Sequence, residues 1–134
     1  IRALFRVAET LDRRVMVINS DIEMYGEQSL LINAIADDTM TMGIRWNYDG
    51  DAIEAASRFI WGIDAFILTP SMAATLPDLP FAIGRAVWDY WIPPHFQERG
   101  CHINASGAPL FFHQNHAQHW TDADWHLAAS WLKG

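Results

Sequence analysis

Asp21, Asp89 and His113 are the side chains whose types and settings could do chemistry together. Asp21 belongs to the stretch VMVINSDIE (Val15 to Glu23), where four apolar residues give way at once to Asn19, Ser20 and Asp21. A buried strand that stops on a carboxylate aims it at the crevice outside the strand ends, where open α/β sheets bind ligands. An ordinary polar turn, with Ser20 or Asp21 capping a helix, would carry the same letters. Asp89, in VWDYW, falls near the start of a helix, where the macrodipole favours an acid with or without chemistry. His113 opens HQNHAQH directly after the apolar PLFF, and neutral imidazole is a common metal ligand. His113, His116 and His119 recur every third residue, which fits neither HExxH nor a Cys/His zinc pattern. On a helix they would spread over a wide arc and on a strand they would alternate faces, so at most one or two ligate together. His119 and His126 read as ordinary surface or core residues. One carboxylate ligand, one imidazole ligand and one carboxylate base is the economical reading.

The elements that must position them follow from the apolar pattern. Leu4, Phe5, Ala8, Leu11 and Val15 recur at three and four residues, which predicts a helix over Arg2–Arg14 and a strand over Val15–Asn19. A short helix is expected over Gln28–Asp37. A strand over Met40–Tyr48 ends at Asp49-Gly50-Asp51. Ala52–Arg58 is helix-prone, and Ile63–Thr69 is a buried strand closed by Pro70. One helical turn is expected over Ser71–Thr75 and an aromatic-rich helix over Val87–Arg99, stopped by Gly100. Pro93 and Pro94 must then lie in its opening turns, where their missing N–H groups cost little. Short strands at Cys101–Ala105 and Pro109–Phe112 precede a last helix, Thr121–Lys133, with a capping box from Thr121 to Asp124. Helices alternate with strands, so the fold class is α/β in layers.

Bulk properties bound the function. A chain of 134 residues, 51% hydrophobic and 19% charged, can bury a real core and is a single soluble domain. No apolar run reaches the ~20 residues of a membrane span. A net charge of −7 with only nine scattered Lys and Arg argues against nucleic acid and anionic membranes as partners. Cys101 is solitary, so there is no disulfide framework and no CxxC knuckle, which is compatible with a cytoplasmic location. Seven Trp suit aromatic sugar platforms, although each one singly is more simply a core residue. No Gly-rich phosphate loop, nucleophile elbow or Cys-His pair occurs.

In order, the blocks NSDI, IRW, WGIDAFILTPS, LPDLPFAIGRAVWDYW and PLFFHQNH resemble the C-terminal two-thirds of a GT-A-type glycosyltransferase domain, over Arg2 to Trp120. The resemblance implies a three-layer α/β/α fold, here a partial domain over residues 1–134 that lacks the N-terminal donor-binding βαβ units. An exposed sheet edge where those strands belong would invite self-association into a homo-oligomer. It implies metal-dependent, inverting transfer of a sugar from a nucleotide-sugar donor to a saccharide-type acceptor hydroxyl. Asn19-Ser20-Asp21 occupies the place of the DxD motif, with Asn19 replacing its first acid. Asp21 and His113 become ligands of Mn²⁺ or Mg²⁺, and Asp89 the base. Asn19, Ser20, Arg45 and His116 become donor contacts, and Trp61, Gly62, Asp64, Trp88 and Trp91 acceptor contacts. Other expectations are a GT-A-derived binding module without turnover, and a small metal-dependent hydrolase using Asp21 and the histidines. A structural domain would instead bury Trp88, Trp91 and Trp120 in an interface.

Overall fold

The strand after the first helix stops within four residues, and everything that shapes the cleft described below follows from how the sheet is threaded around it. The computed structural model describes residues 2–27, 29, 31, 36–78, 80–83, 85–117 and 120–130. In chain order these form α1 (Arg2–Leu11), β1 (Val15–Ile18), β2 (Ile22–Met24), β3 (Thr39–Tyr48), β4 (Ser57–Leu68), α2 (Pro70–Ala74), α3 (Trp88–Gln97), β5 (His102–Ser106), β6 (Phe111–Gln114) and α4 (Asp122–Ser130). The expected helix over Gln28–Asp37 lies largely outside the described residues, as do His119 and the last residues of the closing helix.

The fold is mixed α/β around one six-stranded sheet in the order β1-β4-β3-β6-β2, with β5 also on β3. β3 is central because it is ten residues long and can pair twice along one edge. Its first half takes β5 in parallel and its last residues take β6 in parallel, while β4 runs antiparallel along the other edge. β1 is therefore an edge strand beside β4, half-buried throughout, and not the doubly covered strand that its apolar run suggests.

The register puts Val15, Val17, Met40, Phe66 and Leu68 on one face, where Phe5 and Ala8 of α1, Met72 of α2 and Trp88, Ile92 and Phe96 of α3 complete the core. On the opposite face Gly43 makes room for Phe111, since a Cβ there would fall within the Phe111 ring.

Local chemistry sets the ends. α1 stops at Asp12, which takes the left-handed φ of 48° that Asp tolerates better than most residues. α2 starts with Thr69 as cap, its Oγ1 accepting from the Met72 N–H at 3.3 Å, and Pro70 in the first turn. α4 opens with the expected capping box: Asp124 N–H donates to Thr121 Oγ1 and Thr121 N–H to Asp124 Oδ2.

Three expectations are corrected. Ala52–Arg58 is not a helix: only Ile53–Ala55 makes a 3-10 turn, and β4 begins at Ser57 because Ser57 and Arg58 pair with Asn47 and Trp46. β2 is an additional strand, formed because Ile22–Met24 finds β6. Pro93 and Pro94 lie inside α3 and not in its opening turn. There they remove the N–H groups that would reach the Asp89 and Tyr90 carbonyls in a regular helix. No helix among the described residues is long and apolar enough to cross a membrane.

Candidate functional site

Asp21 is placed by the way β1 ends. The Asn19 N–H donates to the Asp64 carbonyl on β4 at 3.1 Å, and the Ile22 N–H donates back to the Asn19 carbonyl at 3.2 Å, closing a turn that carries Ser20 and Asp21. The chain then enters β2, where Ile22 faces His113 of β6. That register sets Asp21 beside the histidines, although they lie more than ninety residues away in sequence.

The histidines are held by what lies between them. The Asn115 N–H donates to the Tyr48 carbonyl, Asn115 Nδ2 to Asp49 Oδ1 at 2.9 Å, and Gln114 Nε2 to the Gly50 carbonyl at 2.7 Å. Gln114 and Asn115 thus tie the segment to the β3–β4 hairpin, while His113 and His116 turn together towards Asp21. The chain leaves the strand after Gln114, so strand alternation does not separate the two imidazoles.

Asp21 Oδ2, His113 Nε2 and His116 Nε2 form a near-equilateral triangle, with sides of 3.1, 3.2 and 3.4 Å. Ligands about 2.1 Å from one cation are about 3.0 Å apart at 90° and about 3.4 Å apart at 109°. The triangle therefore has the size of one face of a coordination polyhedron. These three residues are the group among the described residues that could hold a metal ion. Burial opposes ionisation of Asp21, but the hydrogen bond from His116 and the proximity of His113 outweigh it and hold the carboxyl below its ordinary range. Burial and the Arg45 charge lower the pKa of His113, which favours the neutral imidazole a metal requires. His116 is raised by its bond to the Ala117 carbonyl and by Asp21. That carbonyl engages Nδ1 at 2.9 Å and leaves Nε2 for the triangle.

Asp89 sits in the first turn of α3 on the wall of the same cleft. Burial, then the negative charge of Asp64, push it up to about 7 against the opposing pull of two backbone N–H groups, its own and that of Tyr90, and of Arg45. The helix N-terminus stabilises the anion, as the sequence suggests, and loses to desolvation. The residue before α3, Val87, is buried with φ of 80°, a conformation costly for a β-branched side chain.

The cleft encloses about 650 Å³. Asn19, Ser20, Asp21, Arg45, Trp61, Gly62, Asp64, Trp88, Asp89, His113 and His116 all line it. Within that set the roles differ from those expected. Asp64 is 3% exposed, with Asn19 Nδ2 donating to Oδ1 at 2.6 Å and Arg45 Nη1 to Oδ2 at 3.1 Å, so both of its oxygens are engaged within the fold. Asn19 gives its Nδ2 to Asp64, and its Oδ1 has no hydrogen-bond partner among the described residues. Trp88 is 1% exposed and packs edge-on against Phe66, as a floor of the cleft. Trp91 does not line the cleft: it packs on Phe81 and His95.

Sequence reasoning missed Phe59, Tyr90 and Asn115 on the walls, and Trp125, which the closing helix was expected only to pack. Phe59, Ile60 and Trp61 form an exposed apolar run in a strand, and that run is the signal that could have found the wall. The chain matches no family model, no curated protein and no solved structure.

Proposed function

We propose that this cleft carries out metal-dependent, inverting transfer of a sugar from a nucleotide-sugar donor to a saccharide hydroxyl, within a partial GT-A-like domain. The observation that carries the reading is a carboxyl held near pH 7 in the same cleft as a ligand triangle of coordination size. General bases work best when their pKa lies near the working pH, and a carboxylate reaches that range only where its surroundings disfavour its charge.

Asp21, His113 and His116 would hold the cation. Two imidazoles and one carboxylate suit Mn²⁺ better than Mg²⁺, which prefers oxygen ligands and retains its waters. When bound, the ion would supply Lewis-acid neutralisation of the diphosphate leaving group. The chain's own groups account for the rest. Arg45, its Cζ 5.1 Å from the centre of the Phe59 ring and braced by Asp64, presents a fixed cation to phosphate oxygens. Ionised Asp89 accepts the proton of the acceptor hydroxyl as that oxygen bonds to the anomeric carbon. The bond from that carbon to the diphosphate oxygen breaks on the opposite face, and its electron pair leaves with the diphosphate. Trp61, 65% exposed, and Trp125, 41% exposed, offer aromatic faces to a pyranose ring and exclude water from the reacting centre.

A second reading has one observation in its favour: the same donor set leaves room for a metal-activated water, as in zinc hydrolases. Thermal unfolding separates the two. Stabilisation by Mn²⁺ together with UDP or GDP, beyond either alone and absent in Asp21→Ala, supports transfer through linkage. Stabilisation by Zn²⁺ alone, with no added effect of nucleotide, selects hydrolysis.

A further inference from the structure

Asp64 is an acid in the middle of an apolar strand, between Ile63 and the buried Ala65 and Phe66. Burying a carboxylate to 3% exposure is costly unless each oxygen is satisfied, and here each has one partner, Asn19 just past the end of β1 and Arg45 within the central β3.

Through Oδ1 it takes the Asn19 amide at 2.6 Å, and through its own carbonyl it takes the Asn19 N–H at 3.1 Å. Asn19 is thereby clasped at two points. It is also the first residue of the turn closed by Ile22, and that turn carries Asp21 into the ligand triangle. β1 is an edge strand that ends at Ile18, so the Asn19 N–H bond to the Asp64 carbonyl is the last backbone tie to β4 before this turn. Through Oδ2, Asp64 takes Arg45, whose stem lies over Gly62: a Cβ there would come within 2.6 Å of Arg45 Cγ and 2.7 Å of Cδ. Gly62 is thus the gap that lets Arg45 cross β4 and reach both Asp64 and the cleft.

We propose that Asp64 is a positioning residue that sets the metal-ligand turn through Asn19 and the cleft cation through Arg45, so that one buried carboxylate aligns both halves of the site. This rests on the metal reading above. It replaces the expected role of Asp64 as an acceptor contact and gives the Asn in NSD a structural task. Were Asp64 only the counter-charge of Arg45, its loss would leave Mn²⁺ binding untouched.

The test is Mn²⁺ binding, with the metal alone, by calorimetry on the full chain at neutral pH. Wild type, Asp64→Asn, Asn19→Ala, the double variant and Asp21→Ala are compared. Wild type binds and Asp21→Ala does not. Asp64→Asn and Asn19→Ala each weaken binding about tenfold, the range seen when partners of ligands are removed. The double variant is no weaker than the worse single one, because both break the same clasp. Wild-type affinity in Asp64→Asn, or losses that multiply in the double variant, overturns the positioning role while leaving the metal site standing. Absence of Mn²⁺ binding in wild type removes the metal reading itself, and this role with it. If Asp64→Asn does not fold, Asn19→Ala decides alone, since it deletes the side-chain half of the clasp and leaves the backbone bond and Arg45 in place: unchanged affinity there overturns the proposal.

Discussion

Replacing Asp89 by Asn should make the protein more stable above neutral pH and leave it nearly unchanged in acid. In the folded chain this carboxyl titrates at about 7, against 3.8 for the ordinary group, because burial and the charge of Asp64 disfavour the anion. Well below about pH 4 it is neutral in both folded and unfolded chains and costs nothing, and near pH 4 it costs only about 0.6 kcal/mol. As pH rises the unfolded chain ionises first, so the folded state loses ground until the pH has passed about 7. At 1.36 kcal/mol per pH unit, the full cost is about 4 kcal/mol. Asn keeps the shape and one acceptor for the backbone N–H groups of the first turn, and it has no charge to desolvate. Urea unfolding of both proteins should therefore give nearly equal stabilities near pH 4 and a gain of about 2–4 kcal/mol for Asp89→Asn at pH 8.5, the lower end allowing for the second N–H bond lost. A gain of the same size at both pH values, or a loss at pH 8.5, would refute the argument that this acid is held in a setting that resists its ionisation. The same substitution removes the proposed base, so the stability gain should come with lost transfer, the usual opposition between a poised site and a relaxed one.

Other perturbations test other parts of the structure. Mn²⁺ at about one hundred times its dissociation constant should stabilise the wild type by about 2.7 kcal/mol, seen as a raised unfolding temperature, and His116→Ala should abolish that rise. Gly43→Ala would push a methyl group into the ring of Phe111, which is 1% exposed, and should cost about 1–3 kcal/mol in denaturant unfolding. Thr121→Ala removes the side-chain half of the α4 capping box and should cost about 1 kcal/mol, with helix loss visible by circular dichroism near the C-terminus if the helix frays.

The parts of the site that can be read from sequence are those signalled by abrupt local change. The polarity flip after Ile18 marks Asp21 because it reports a strand running out at a sheet end, whereas the strand expected over Pro109–Phe112 is Phe111–Gln114, so His113 lies within β6 and not after it. What sequence could not give is set by pairing across distance. Ile22–Met24 has two exposed residues out of three and is a strand only because β6 lies beside it. Ala52–Arg58 has helix-forming letters, yet the antiparallel return along β3 draws Ser57 and Arg58 into β4. His116 joins His113 because the backbone turns away from β6, which spacing alone does not encode. Asp64 in GIDAF is expected as an acceptor contact, although an Asp amid an apolar strand needs a partner when it is buried. Its partners, Asn19 and Arg45, came only with the sheet order.

Several of the local rules that this chain breaks are broken at the cleft. Val87 holds a left-handed backbone in the residue before α3, a strain of about 1–3 kcal/mol for a side chain of its kind. Asp89, two residues on, is a carboxyl whose ionisation the fold opposes. Of the buried polar side-chain atoms without a hydrogen-bond partner among the described residues, Asn19 Oδ1, Arg45 Nε and His113 Nδ1 belong to residues that line the cleft, and Trp46 Nε1, Asn47 Oδ1 and His95 Nε2 do not. A core selected only for packing would have shed such costs, since each has a cheap apolar or glycine replacement. Those that meet at the cleft, the strained Val87, the poised Asp89 and the unpartnered His113 Nδ1, lie where they would act on a bound ion and a bound hydroxyl.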